Sequence, residues 1–168
     1  MDSTPPALSL DLESDAPNAK PELRLWLRLL TCATLIEGEV RARLRRHFGV
    51  TLPQFDLMAQ LDKAPDGLSM GELSRRMMVT NGNVTGIAER LAGEGLVTRA
   101  PSATDRRTQM VSLTPAGRSN FRTMARVHEG WIADMLGDLD RSELATLMEG
   151  LGRAKKSVRA HHERSVGP

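Results

Sequence analysis

Two clusters in this 168-residue chain pair polar side chains with close spacing. In VTNGNVTGIAER, Asn81 and Asn83 stand beside Thr80 and Thr85, with Arg75 and Arg76 before them and Arg90 after. An asparagine amide donates and accepts in one plane, which matches an adenine edge, whereas threonine hydroxyls and guanidinium groups suit phosphate oxygens. In PSATDRRTQ, Asp105, Arg106 and Arg107 sit among turn-forming residues. Two guanidinium groups on an extended loop can enter a narrow minor groove, and a carboxylate beside them can hold one in shape. Across residues 73–118, seven arginines face three carboxylates, a local excess that suits a polyanion. Each cluster also has a plainer reading: asparagine favours helix caps, and a surface ion pair is worth about 0–1 kcal/mol.

Other chemistries lack their residues. A catalyst needs a nucleophile with a base, paired carboxylates in a pocket, or a glycine loop around phosphate. Here Glu72 is taken by a helix cap, His161 and His162 lie in a polar tail, and Gly93 and Gly95 close a helix, so no enzyme is expected. The single Cys32 excludes an intramolecular disulfide and a cysteine zinc site. The four histidines, at positions 47, 128, 161 and 162, are not spaced as ligands apart from the adjacent tail pair, so neither a metal nor a cofactor is expected. No apolar run reaches the roughly 18 residues that a bilayer span needs, and the N-terminus lacks a secretory pattern. A soluble, cytoplasmic protein follows, with no membrane partner.

These clusters need elements to hold them. Residues 1–20, rich in Pro, Ser and Asp, read as a disordered acidic leader. From Pro21, the spacing of Leu23, Trp26, Leu27, Leu30, Ala33, Val40 and Leu44 predicts one long amphipathic helix ending near Gly49. A second helix starts at Thr51 to Pro53, carries Phe55, Met58 and Leu61, and stops at Pro65-Asp66-Gly67. Ser69 and Glu72 form a capping box that opens a short helix burying Met70, Leu73 and Met77. Thr80 caps the next helix, whose apolar stripe is Val84, Ile87, Ala88 and Leu91. LVTRA and TQMVSL predict a two-stranded hairpin with the arginines at its tip. Thr114-Pro115 starts a helix through Met135, and Asp140 with Glu143 starts the last one, ending in a flexible tail over 161–168.

The run DRRTQMVSLTPAG resembles the wing signature of the MarR family of winged helix-turn-helix regulators, and GELSRRMMVTNGNVTGIAERLAGEGLV resembles the helix pair before it. The resemblance covers residues 21 to about 160. It implies a mainly α fold with a small β-hairpin wing: a winged helix-turn-helix domain over 51–114, and dimerisation helices over 21–49 and 115–160. Two chains would interlock through their first and last helices and face successive major grooves of a double-stranded DNA operator. Arg107 would enter the minor groove, Asp105 would orient it, and Arg106 would lie on the backbone nearby. Gly82 and Gly86 depart from the larger contacting side chains usual in the family, which leaves readout to Asn81, Asn83 and the wing. Two-fold symmetry implies a pseudo-palindromic site with half-site centres about 10 bp apart, or a multiple of that.

The resemblance also implies a repressor released by a small aromatic ligand, here an aromatic acid or its coenzyme A thioester. The cleft would fall among the first, second and fifth helices, where Trp26, Phe55, Met58, Met124, His128 and Trp131 are the bulky residues. Arg28, Arg41 or Arg43 would meet a carboxylate or phosphate. A Met or Trp at helical spacing is also ordinary core. Some family members sense peroxide through a thiol in the first helix. Cys32, however, has no basic neighbour in immediate sequence and the chain has no Tyr, so a buried small apolar residue is the expectation. A nonspecific architectural DNA binder is the remaining alternative, and it would depend on far more positive charge than the net +2 found here.

Overall fold

The computed structural model describes residues 19–102 and 107–165. The expected leader up to residue 18, Asp105, Arg106 and residues 166–168 therefore lie outside the described residues. The chain divides into two units, Met1–Glu129 and Gly130–Pro168.

In the first unit, α1 (Pro21–Phe48) begins with proline in its first turn and ends at Gly49, whose φ of 66° lets its N–H reach the Arg45 carbonyl. Helix α2 (Leu52–Asp62) opens on a reciprocal cap. The Thr51 N–H donates to Gln54 Oε1 at 2.9 Å, and Thr51 Oγ1 accepts from the Gln54 N–H at 3.4 Å. Gln54 is a buried polar side chain, and this cap satisfies its carbonyl oxygen. Helix α3 (Met70–Met77) starts on the expected Ser69–Glu72 box, and α4 (Asn81–Gly93) starts on Thr80. Leu73 is fully buried, while Met70 and Met77 are half-buried rather than core.

Three strands form the sheet where the sequence predicts two. β2 (Val97–Pro101) and β3 (Gln109–Leu113) pair antiparallel from Val97↔Leu113 to Pro101↔Gln109. β1 (Leu68–Ser69) pairs with the other edge of β3, in the order β1-β3-β2. Two residues are too few to show an alternating pattern, and Ser69 carries a cap signal instead. Gly67, at φ 85°, passes so close to β3 that a Cβ there would stand 2.6 Å from the Val111 carbonyl oxygen. Helix α5 (Pro115–Met135) begins just after β3, where Thr114 Oγ1 accepts from the Gly117 N–H at 2.9 Å and donates to the Gly95 carbonyl at 2.8 Å. A Cβ on Gly117 would collide with the Leu96 carbonyl, so glycine is required at this approach.

The core of this unit is Leu44, Leu57, Met58, Leu61, Leu73, Val84, Leu91, Val111 and Met124, each fully buried. Each such side chain contributes roughly 1.5–3 kcal/mol of burial. Phe55 packs against Phe121 and His128, with ring centroids 5.4 and 5.1 Å apart. Arg118 bonds Asp62 at 2.9 Å and joins α5 to α2. On α1 only Val40 and Leu44 are buried; of the rest of its predicted stripe, Leu27 and Leu30 are half-buried and Leu23, Trp26 and Ala33 are exposed. Cys32 lies on that stretch and is exposed, which corrects the buried reading.

The second unit contains the end of α5 and α6 (Arg141–Ser165). Asp140 Oδ1 accepts from the Ser142 and Glu143 N–H groups, and Glu143 accepts from the Asp140 N–H, the predicted helix start. Helix α6 runs through to Ser165, so residues 161–165 are helical where a flexible tail is expected. No Gly or Pro interrupts the chain between Gly152 and Gly167.

Candidate nucleic-acid interface

The turn between α3 and α4 is built from short-range bonds. Ser74 Oγ donates to the Val79 carbonyl at 2.5 Å, and the Val79 N–H returns to the Ser74 carbonyl at 3.2 Å. Thr80 Oγ1 then accepts from the Asn83 N–H at 3.5 Å and closes the first turn of α4. This aims the N-terminus of α4 outward, with Thr80, Asn81, Gly82 and Asn83 all exposed. Arg75 and Arg76 are exposed on α3. Both help hold the Glu72 carboxyl below its ordinary pKa, after the larger effects of the hydrogen bonds from the Ser69 backbone and hydroxyl.

Val84, Ala88 and Leu91 face the core, so at about 100° per residue the outermost ridge of α4 is Gly82, Gly86 and Gly93. A Cβ at any of the three would meet nothing within 4 Å. Asn83 and Arg90 flank the ridge on one side, Thr85 and Glu89 on the other, and Asn81 lies in the exposed first turn. The Thr85 hydroxyl donates to the Asn81 carbonyl at 2.9 Å, so its proton is committed within the helix. Arg90 lies 3.8 Å from Glu94 on the next turn.

In the wing, the Ser102 N–H donates to the Thr108 carbonyl at 2.8 Å and carries the β2–β3 pairing past Pro101. Arg107 is exposed next to it. Composition alone did not reveal how the wing and α4 are joined: Arg99 on β2 approaches Glu89 on α4 at 3.5 Å. Both residues stand in the sequence as ordinary charges, and no local spacing pairs them.

Among the described residues, those expected to hold an effector have different surroundings in the first unit. Met58 and Met124 are fully buried core, and Phe55 is buried against Phe121 and His128. His128 is half-buried, and burial pushes its imidazole below the ordinary pKa. Trp26 is 57% exposed, roughly 20 Å along α1 from its first buried residue at 1.5 Å per residue. Arg28 lines a shallow groove with Pro21, Arg24 and Leu25. Helical spacing marks a residue as facing inward, but core and cleft both lie inward. Arg43 is drawn to Glu39 at 2.6 Å.

The expected Arg41 does line an open groove of about 420 Å³, together with Arg45, Thr51, Leu52, Pro53, Val79, Asn83 and Ile87. Sequence reasoning missed Arg45, Leu52, Pro53 and Val79 as a group, since they come from α1, α2 and the turn before α4. Asp56 on α2 keeps an exposed side chain, yet partial loss of hydration, then the nearby Glu37 carboxylate, raises its pKa.

A short helix pair whose second helix starts on exposed polar side chains, followed by a paired-strand wing, is the arrangement of a winged helix-turn-helix domain. Comparison with known proteins agrees. The profile described as MarR family matches residues 48–108. The transcriptional activatory protein BadR of Rhodopseudomonas palustris is 30% identical over 135 residues, which cover 77% of this chain and 77% of that one. The crystal structure of a MarR family transcriptional regulator from Silicibacter pomeroyi superposes with a TM-score of 0.69 at 34% identity, covering 82% of this chain and 94% of that one. That of the transcriptional regulator BldR from Sulfolobus solfataricus gives 0.71 at 25% identity, covering 81% and 95%. The chain belongs to the MarR family of DNA-binding transcriptional regulators. These relatives are named as regulators rather than enzymes. Among the described residues no helix is long and apolar enough to cross a membrane.

Proposed function

We propose that the protein is a homodimeric repressor that binds a pseudo-palindromic operator and leaves it when a small aromatic acid, or the acyl end of its coenzyme A thioester, occupies the groove beside Asn83. The groove itself carries this reading. Arg41 and Arg45 offer guanidinium groups for a carboxylate or phosphate, Leu52, Pro53, Val79 and Ile87 offer an apolar wall, and Asn83 belongs both to the groove and to the reading helix. Ligand and base then compete for one side chain, and the difference in ligand affinity between DNA-bound and DNA-free forms sets the response.

On DNA, Asn81 and Asn83 read base edges, and Arg75, Arg76, Thr80 and Arg90 meet phosphates. Thr85, with its proton engaged in the helix, contributes shape. Arg107 enters the minor groove. Homodimerisation is supported by the apolar side chains left uncovered: Leu23, Leu25, Trp26 and Leu35 on α1, and Leu147, Met148, Leu151 and Val158 on α6. A second reading of the sign of regulation, activation, is favoured by the name of the relative BadR. The exposure of Cys32 meets the access requirement of a redox sensor, but Thr31 and Ala33 supply no cation to stabilise a thiolate.

The test uses a duplex recovered by in vitro selection from a randomised library. Arg107→Ala should bind it several-fold more weakly, with the slope of log affinity against log salt reduced by about one and the melting temperature unchanged. Asn83→Ala should lose about 1–3 kcal/mol of discrimination at one base position per half-site. Benzoic and cinnamic acids should release the wild-type protein but not the Arg41→Ala/Arg45→Ala variant. Equal release of both proteins would reject the groove as the effector site.

A further inference from the structure

Met78 departs from two local rules at once. Among the described residues it is the one non-glycine with a positive φ, 54°, and its side chain is 90% exposed. The left-handed conformation is strained for a residue with a Cβ, and glycine would relieve that strain. A polar residue would remove the other penalty, an apolar side chain standing in water. The conformation is held from both sides: the Met78 N–H donates to the Arg75 carbonyl at 3.4 Å, and Ser74 bonds Val79 twice. Val79 lines the groove, so the turn that brings it inward throws Met78 outward, between Arg75 and Arg76 on one side and Thr80 and Asn81 on the other.

The left-handed residue is the C-cap of α3, and its capping bonds fix the backbone but leave the apolar side chain in water beside the exposed start of α4, where a contact made only in the complex would cover it. We propose that Met78 is a specificity-determining DNA contact, its thioether packing on the C5-methyl group of a thymine next to the base read by Asn81 or Asn83. This rests on α4 being the reading helix. In the major groove the apolar group that base edges present is the thymine methyl, and an unbranched, polarizable thioether can follow it closely. The neighbouring arginines and Thr80 already suit phosphate, to which a thioether adds nothing.

A chemical double-mutant cycle tests the contact. The duplex is again one selected with the wild-type protein, and its thymines are replaced singly by deoxyuridine, which removes the methyl group alone. Met78→Gly, which fits the left-handed turn, should melt at the wild-type temperature or above it, yet bind the duplex about tenfold more weakly. One deoxyuridine per half-site should weaken the wild type about three- to tenfold and leave Met78→Gly unaffected. Wild-type affinity in Met78→Gly, or a deoxyuridine scan with the same profile for both proteins, would overturn the contact. So would a smaller assembly for Met78→Gly in sedimentation velocity, which would place the thioether between protein chains. Asn83→Ala on the same duplex is the control: if it binds and discriminates normally, the reading of α4 fails rather than the role of Met78.

Discussion

Burial holds the His128 imidazole below its ordinary pKa, while hydrogen bonds from Ser69 hold the Glu72 carboxyl below its own. Both groups therefore bind protons more weakly in the folded protein than in the unfolded chain, and both contribute stability that is lost as pH falls. The windows differ. For His128 the loss begins as pH drops through the ordinary value of 6.5, and for Glu72 only below 4.5. His128→Phe keeps a ring against Phe55 and removes the titration. Its melting temperature should therefore change less than that of the wild type between about pH 7 and pH 5. Parallel melting curves across that range would show that His128 does not couple protonation to folding. The Ser69–Glu72 pair was readable from its i, i+3 spacing. The shift at His128 was not, because it depends on Phe55, far away in the chain, and on how deeply the ring is covered.

At the level of elements, helix ends were the most legible features, since a cap is a bond between residues three apart. Thr51, Ser69, Thr80, Thr114 and Asp140 each sit where such a bond is made. The glycines of α4 are different. Gly82, Gly86 and Gly93 form its outer ridge, and among the described residues nothing lies within 4 Å of where their Cβ atoms would go. Gly86→Ala should therefore raise stability by up to about 1 kcal/mol, from helix propensity and reduced freedom of the unfolded chain, as read by calorimetry. A destabilised variant would mean that the ridge is covered in the native assembly without DNA. Strand β1 shows the opposite limit. Its two residues carry no period, and only the bonds to β3 make them a strand.

The whole molecule is where association belongs. Helix α6 has no buried residue, and Leu147, Met148, Leu151 and Val158 are exposed along it. If a second copy covers this face, Leu151→Glu places a charge where apolar surface is removed from water, and sedimentation velocity should show it as a monomer at micromolar concentration. Its affinity for the full selected duplex should fall much further than for a single half-site, because linkage of two reading helices is what multiplies their contacts. An intact dimer with unchanged affinity would move the interface away from α6.

Sequence alone determined the helix order, the caps, the polar face of the reading helix and the arginine-bearing wing, because each is a relation between residues within about one or two turns or across one short hairpin. Tertiary structure decided what depends on distance through space. It buried Phe55, Met58 and Met124, added β1 to the sheet, left Cys32 exposed, and gathered Arg41, Arg45, Val79 and Asn83 around one groove. An apolar position signals only that a side chain leaves water. Whether it meets packed neighbours or an open groove is set by elements far along the chain, and local spacing carries no record of that.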